Sequence, residues 1–135
     1  MDENNKSKIR SFTDLKAWQE GHKLVLVVYK ITRCFPKEEL FGLVNQLRRA
    51  VISITSNLAE GFSRRSIKEK VQFYSMALGS LTEVQNQLLA ARDIGYIKSV
   101  EFDNIAEQRV KVSKTINGLI KSLKPLTTYY LILNT

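Results

Sequence analysis

Apolar residues recur at helical spacing along four stretches of the chain. The clearest pattern follows Pro36, where apolar residues alternate in steps of four and three, at Leu40, Val44, Leu47, Val51, Ile54 and Leu58. This period is the seam of a left-handed helix bundle. Glu38 and Glu39 stand where the positive N-terminal end of a helix favours acidic residues. The pattern predicts a helix that ends at Gly61, near Phe62.

The preceding stretch predicts a first helix over residues 13–34, beginning at Thr13 and Asp14 and closed by Pro36. Its predicted inner positions are Leu15, Trp18, His22, Val25 and Tyr29. The run from Leu24 to Tyr29 would also suit a buried strand. Length and the helical spacing favour a helix.

Two further helices are predicted after Gly61. Ser66 and Glu69 form a capping-box pattern at the start of the third helix, and Gly95 ends it. Ser99 is the predicted cap of the fourth, which stops at Lys124 before Pro125. The apolar positions of these helices are Ile67, Val71, Tyr74, Leu78, Leu81, Leu88 and Ala91, then Ile105, Val112, Ile116, Leu119 and Leu123.

Four long helices with short connections predict an all-α fold, an antiparallel up-down-up-down four-helix bundle. The predicted organisation is a flexible basic lead over residues 1–12, the bundle over 13–124, and an apolar tail over 125–135. The tail is rich in residues that favour β structure. We expect it to pack on its own bundle, on a neighbouring subunit or on another protein.

Composition excludes several function classes. No apolar run approaches the roughly 20 residues of a membrane span, and residues 1–10 lack the pattern of a secretory signal. We therefore expect a cytoplasmic protein with no membrane partner. Cys34 and His22 are single, so neither an internal disulfide nor a histidine-rich metal site is expected, and both are predicted to be packed side chains. The glycines are scattered and form no phosphate loop.

A series of short motifs resembles one known family. It comprises Phe12-Thr-Asp-Leu15 with Trp18 and Gln19, Phe35-Pro36 with Glu39, Phe41-Gly-Leu43, Gln46-Leu-Arg-Arg49, Ser53, Asn57-Leu-Ala-Glu-Gly61, Ala77-Leu-Gly-Ser-Leu81, Glu83 and Gly95-Tyr-Ile97. Over residues 12–123 the chain resembles the four-helix-bundle family of 23S ribosomal RNA intervening-sequence proteins. That family is related to the accessory protein of diversity-generating retroelements.

The resemblance implies a closed helical bundle and a ring-shaped homo-oligomer, which is pentameric in known members. It also implies association with nucleic acid, and it implies no enzyme. Some members carry a ribosomal-protein label. Taken with the composition, it predicts no catalytic residue, no cofactor and no small-molecule substrate.

Polar residues form a stripe beside the apolar seam of the second helix and face a similar file on the third. The residues involved are Gln46, Arg49, Ser53, Asn57 and Glu60, with Ser80 and Glu83 opposite. One interpretation is a structural role, with hydrogen bonds and ion pairs within or between subunits. The other is a metal site built on Glu60 and Glu83, but the Glu-x-x-His motif of di-iron bundles is absent. We favour the structural role and predict no bound metal.

The net charge of +8 favours anionic partners. Antiparallel topology brings together residues 6–16, 60–70 and 117–124, which hold ten basic and three acidic residues. We call this region the basic end. The opposite end, residues 30–39 and 92–103, holds five of each. The predicted phosphate-binding residues are Lys8, Arg10, Arg64, Arg65, Lys68, Lys70, Lys121 and Lys124, joined by Lys6.

Two functions follow from these patterns. The first is a nucleic-acid-associated homo-oligomer that contacts RNA or DNA backbones through the basic end. The alternative is a protein-interaction scaffold that uses the apolar tail and the polar faces between helices.

Overall fold

The structure, a computed structural model, describes residues 8–123 of the 135-residue chain. Four α-helices occupy most of this part: α1 Lys16–Thr32, α2 Asn45–Ser63, α3 Ile67–Ile94 and α4 Ser99–Ser122. No strand forms within residues 8–123. The prediction of an all-α fold is confirmed, whereas the apolar tail and Lys124 lie outside the described residues.

Contacts between the helices establish the antiparallel order. Arg48, near the start of α2, donates to the hydroxyl of Thr32 at the end of α1 (Nε to Oγ1, 3.0 Å). The hydroxyls of Ser80 in α3 and Ser53 in α2 lie 2.8 Å apart. Gln108 of α4 donates to the backbone carbonyl of Glu20 in α1 over 2.9 Å. Because α3 also packs on α4, each helix packs on the next, and α4 returns onto α1.

The core comes from all four helices. Its largest fully buried side chains are Leu24, Val28, Leu47, Val51, Ile54, Leu58, Val84, Ile105, Val112 and Ile116. Full burial of a side chain of this size contributes about 1.5–3 kcal/mol. The apolar seam predicted for the second helix is thus confirmed from Val44 to Leu58.

The first helix begins later than predicted. Residues Phe12–Asp14 form a separate 3-10 turn, and α1 starts at Lys16. The Asp14 carboxylate folds back and accepts from the backbone N–H groups of Arg10 (2.9 Å) and Ser11 (3.0 Å). These two hydrogen bonds lower the pKa of Asp14. Asp14 therefore completes a capping box with Ser11 at this turn and does not begin α1. At its other end α1 stops at Thr32 rather than Cys34.

The start of the second helix is interrupted. A 3-10 turn, Lys37–Glu39, leads into a π-helical segment, Leu40–Val44, in which Gly42 has non-helical dihedrals. Glycine and π-helical turns are common causes of helix kinks. Leu40 is consequently half exposed, so its predicted seam position is wrong.

The second helix ends at Ser63, one residue beyond the predicted end near Phe62, but Gly61 lies within the helix and does not end it. A Cβ atom at Gly61 would lie 2.7 Å from Cε1 of Tyr74 and 2.9 Å from Cβ of Phe73. Glycine is therefore required by the close approach of α2 and α3.

Caps at the two ends of α3 agree with the sequence. The Ser66 hydroxyl accepts from the backbone N–H of Glu69 (3.1 Å), and Gly95 takes the left-handed conformation with φ 102°. For α4 the predicted cap is wrong. Ser99 is the first helical residue, Lys98 occupies the cap position, and no side chain caps this end.

Candidate functional site

The antiparallel arrangement brings three segments to the basic end. The turn Phe12–Asp14 packs against α1 and α2, the connection after Ser63 joins α2 to α3, and α4 ends at Ser122. The exposed basic side chains on these segments are Lys8, Arg10, Arg65, Lys68 and Lys121. Lys6 and Lys124 lie outside the described residues.

Arg64 is held against the bundle. Its guanidinium forms an ion pair with Glu60 and lies over the Phe73 ring, 4.9 Å from the centroid. Its Nε is buried and has no hydrogen-bond partner within the described chain. Because Glu60 offsets its charge, Arg64 adds less to the positive potential than its exposed neighbours.

Lys70 is committed to the end of α2. Its ammonium donates to the backbone carbonyls of Phe62 (2.8 Å) and Gly61 (3.3 Å) and lies 5.5 Å from the centroid of the Phe62 ring. Desolvation lowers the pKa of this half-buried lysine. Lys70 thus satisfies helix-terminal carbonyls, a role that the sequence interpretation missed.

The polar stripe has its predicted interhelical contact at one point. The Ser80 hydroxyl bonds to the Ser53 hydroxyl over 2.8 Å, and the Asn57 amide donates to the Ser53 carbonyl (2.8 Å) and hydroxyl (3.1 Å). Glu60 belongs to a different set, since its partner is Arg64. The stripe is therefore divided between a network at Ser53 and the connection after α2.

A surface groove of about 480 Å³, which we call the polar groove, lies along the stripe next to Ser53. It is lined by Asn45, Gln46, Arg49, Ala50, Ser53, Glu83 and Gln87. Arg49 and Glu83 are exposed and form no ion pair within residues 8–123. The side-chain oxygen of Gln87 is buried without a hydrogen-bond partner in the same range.

Glu60 and Glu83 do not share a site, and no cluster of three or more ligand side chains suited to a metal occurs in the described chain.

Glu20 carries a buried carboxylate that the sequence pattern did not predict. Glu20 is only 5% exposed, yet it accepts from Gln108 (Oε2 to Nε2, 2.8 Å) and pairs with Lys23 (3.3 Å) and Lys16 (3.6 Å). The Gln108 hydrogen bond, supported by the two lysines, lowers the pKa of Glu20. Its place at helical spacing between Ala17 and Leu24 is the signal that would have revealed it.

Two predictions of packed side chains are wrong. Cys34 is exposed because α1 ends before it. His22 is also exposed, although its ring stacks on Trp18 with centroids 4.8 Å apart. Neither residue has a neighbouring group that would make it a nucleophile or a base in the described structure.

None of the four helices is long and apolar enough to span a membrane, within the part of the chain that is described. The arrangement offers charged and polar surfaces for binding, and the described residues show no catalytic constellation.

The fold is similar to a solved structure. A crystal structure at 1.70 Å of a protein of unknown function, from the S23 ribosomal protein family of Bacteroides thetaiotaomicron, matches with a TM-score of 0.70. The match covers 78% of this chain and 95% of that chain, at 18% identity. At this identity it establishes the fold alone. The link to the retroelement accessory protein stays a prediction.

No curated protein matches the chain. A family model described as the 23S rRNA-intervening sequence protein matches residues 13–118, from the turn before α1 to the last turns of α4. Because this match covers nearly the whole bundle, the chain belongs to the 23S rRNA-intervening sequence protein family.

Proposed function

We propose that this protein is a non-enzymatic, cytoplasmic homo-oligomer that associates with the phosphate backbone of RNA or DNA through its basic end. The observation that carries the proposal is the polarised charge, because the exposed cations Lys8, Arg10, Arg65, Lys68 and Lys121 belong to one end of the bundle. A concentrated positive patch attracts a polyanion and releases its counterions on binding.

Backbone contact is favoured over recognition of bases. Phe62 and Phe73 are the aromatic residues beside the α2–α3 connection, and the cationic groups of Lys70 and Arg64 lie over their rings. A cation thus already lies against one face of each ring, which leaves less of the ring surface for a base to stack on. Binding should accordingly depend little on nucleotide sequence.

Self-association would increase the number of basic ends that contact one nucleic-acid molecule. In a ring whose axis runs parallel to the helices, every basic end faces the same way and forms a continuous rim. Several weak phosphate contacts on one particle would then act together. The pentamer implied by the family resemblance is the assembly that we propose.

The test is a titration of the full chain into fluorescent structured RNA and duplex DNA, with particle mass measured in the same samples. Five phosphate contacts predict an affinity loss of roughly 500-fold between about 50 and 200 mM salt. The variant Arg65→Glu with Lys68→Glu should weaken binding and reduce the salt dependence by about two contacts.

The matched control reverses two exposed lysines of the opposite end, Lys30→Glu and Lys98→Glu. It changes net charge equally, so a loss of binding that occurs in both variants would mean general attraction rather than a located surface. Absence of binding even at low salt would refute the nucleic-acid proposal.

The second candidate function is a protein-interaction scaffold. It is favoured by the polar groove, in which Arg49, Glu83 and Gln87 have groups without partners in the described monomer, and by the exposed Phe41. Co-purification of a stoichiometric partner, in the absence of nucleic-acid binding, would support it.

A further inference from the structure

Phe41 is the most exposed large apolar side chain in the described chain, at 90%. It lies in the π-helical segment Leu40–Val44, directly before the non-helical Gly42. Leu40 beside it is also half exposed. The two residues form an exposed apolar knob beside the interruption of the helix, and contact with another apolar surface would remove it from water favourably.

The other side of the bundle carries a groove of suitable size. This apolar groove, of about 240 Å³, lies between α3 and α4 and is lined by Gln85, Leu88, Leu89, Phe102, Ala106 and Arg109. Apart from Gln85 and Arg109 its lining is apolar, so an aromatic ring would replace water there favourably.

The knob and the apolar groove stand at similar heights along the bundle. Ser53 of α2 and Ser80 of α3 are in contact, so they lie at the same height. Asn45 of α2 and Leu88 of α3 each lie eight residues from this contact, toward the end of the bundle opposite the basic end. Phe41 is four residues beyond Asn45, or about one helical turn. A second copy placed beside the first, with no displacement along the helix axes, would therefore bring its knob close to this groove.

Charge is complementary as well. Glu38 and Glu39 precede the knob and form no ion pair within residues 8–123, and neither does Arg109 at the apolar groove. Two acidic groups thus precede the knob, in the same turn as Lys37, and one basic group lines the groove.

We propose that Phe41 of one copy inserts into the apolar groove between α3 and α4 of a second copy, with Glu38 and Glu39 facing Arg109. A second copy is the natural occupant because one chain carries both complementary halves. Different surfaces meet in such a heterologous contact, which extends into a ring where the rotation closes. The inference rests on the self-association proposed above and names its interface.

The experiment measures particle mass by analytical ultracentrifugation for the wild-type chain, Phe41→Asp and the control Met76→Asp. Met76 is an exposed apolar residue at 55%, located toward the basic end of α3. Loss of one buried aromatic ring predicts self-association weaker by about 10- to 100-fold in Phe41→Asp. Circular dichroism should show an unchanged helical fold, since Phe41 makes little contact with its own bundle.

A charge exchange gives a second readout. Arg109→Glu alone should weaken self-association, and adding Glu38→Arg and Glu39→Arg should restore it at least in part. An oligomeric wild type whose mass is unchanged by Phe41→Asp would refute the interface and leave the proposed function standing. A monomeric wild type at tens of micromolar would overturn both the interface and the proposed assembly.

Discussion

Replacing Gly61 by alanine tests the closest approach between helices in this bundle. The added methyl would stand 2.7 Å from Cε1 of Tyr74 and 2.9 Å from Cβ of Phe73. Ordinary carbon–carbon contacts are about 3.5–4.0 Å, so these atoms must retreat by about 1 Å. Tyr74 is 2% exposed, and the Phe73 Cβ is fixed to the backbone of α3, so neither can simply rotate away.

The magnitude follows from two opposing effects. Overpacking of this kind costs about 1–3 kcal/mol, whereas replacing glycine by alanine in the last turn of a helix gains at most about 0.8–1 kcal/mol of helix propensity. Because α3 itself must move, we take the upper half of the overpacking range. Gly61→Ala should therefore destabilise the protein by about 1–2 kcal/mol.

The matched control is Gly118→Ala, in α4, where a Cβ would meet nothing within 4 Å. That variant should be stabilised by about 0.5–1 kcal/mol. Urea unfolding followed by circular dichroism, at one fixed protomer concentration, measures both changes. If Gly61→Ala proved as stable as Gly118→Ala, the helices would not approach as closely as the structure indicates, and the reasoning would be refuted.

Two further predictions concern buried charges. Glu20→Gln should destabilise the fold by about 1 kcal/mol at pH 7, because glutamine keeps an oxygen that accepts from Gln108 but loses the charge that strengthens this buried hydrogen bond. Since folding lowers the pKa of Glu20, its contribution is present above the unfolded-state pKa and is lost as pH falls through the folded-state value. Urea midpoints across acidic pH should accordingly change less in Glu20→Gln than in the wild type. Lys70→Met should cost about 1 kcal/mol because the Phe62 carbonyl loses its lysine donor, whereas the Gly61 carbonyl keeps the backbone N–H of Arg64 (3.2 Å). Nucleic-acid affinity at fixed salt should change less than in the Arg65 and Lys68 double variant. A large loss of affinity in Lys70→Met, with stability unchanged, would contradict this assignment.

Exposed charges and committed charges look alike in a sequence. Arg65 is exposed, whereas Arg64 is paired with Glu60 and Lys70 with two backbone carbonyls. The three residues lie within seven positions of one another, and composition treats them equally. Their roles differ because a helix end has unsatisfied carbonyls that a nearby lysine can reach.

The spacing of apolar residues along the sequence predicts the buried face of a helix wherever that face is apolar along its whole length. The steps of four and three from Val44 to Leu58 predict which residues are buried, because helix periodicity alone places them on one side. Ser66 and Gly95 mark the ends of α3 because capping and left-handed backbone conformations depend on adjacent residues.

What only the tertiary structure decided involves groups from distant parts of the chain. Gly61 has the appearance of a helix end, but its role depends on the Tyr74 ring of the next helix. Glu20 resembles a surface acid until Gln108, 88 residues away, supplies its hydrogen bond. Phe41, beside the non-helical Gly42, is 90% exposed, which the spacing of apolar residues does not reveal. Helix periodicity and capping depend on neighbouring residues, so the sequence predicts them. The close approach of α2 and α3, the burial of the Glu20 carboxylate and the exposure of Phe41 depend on how separate helices pack.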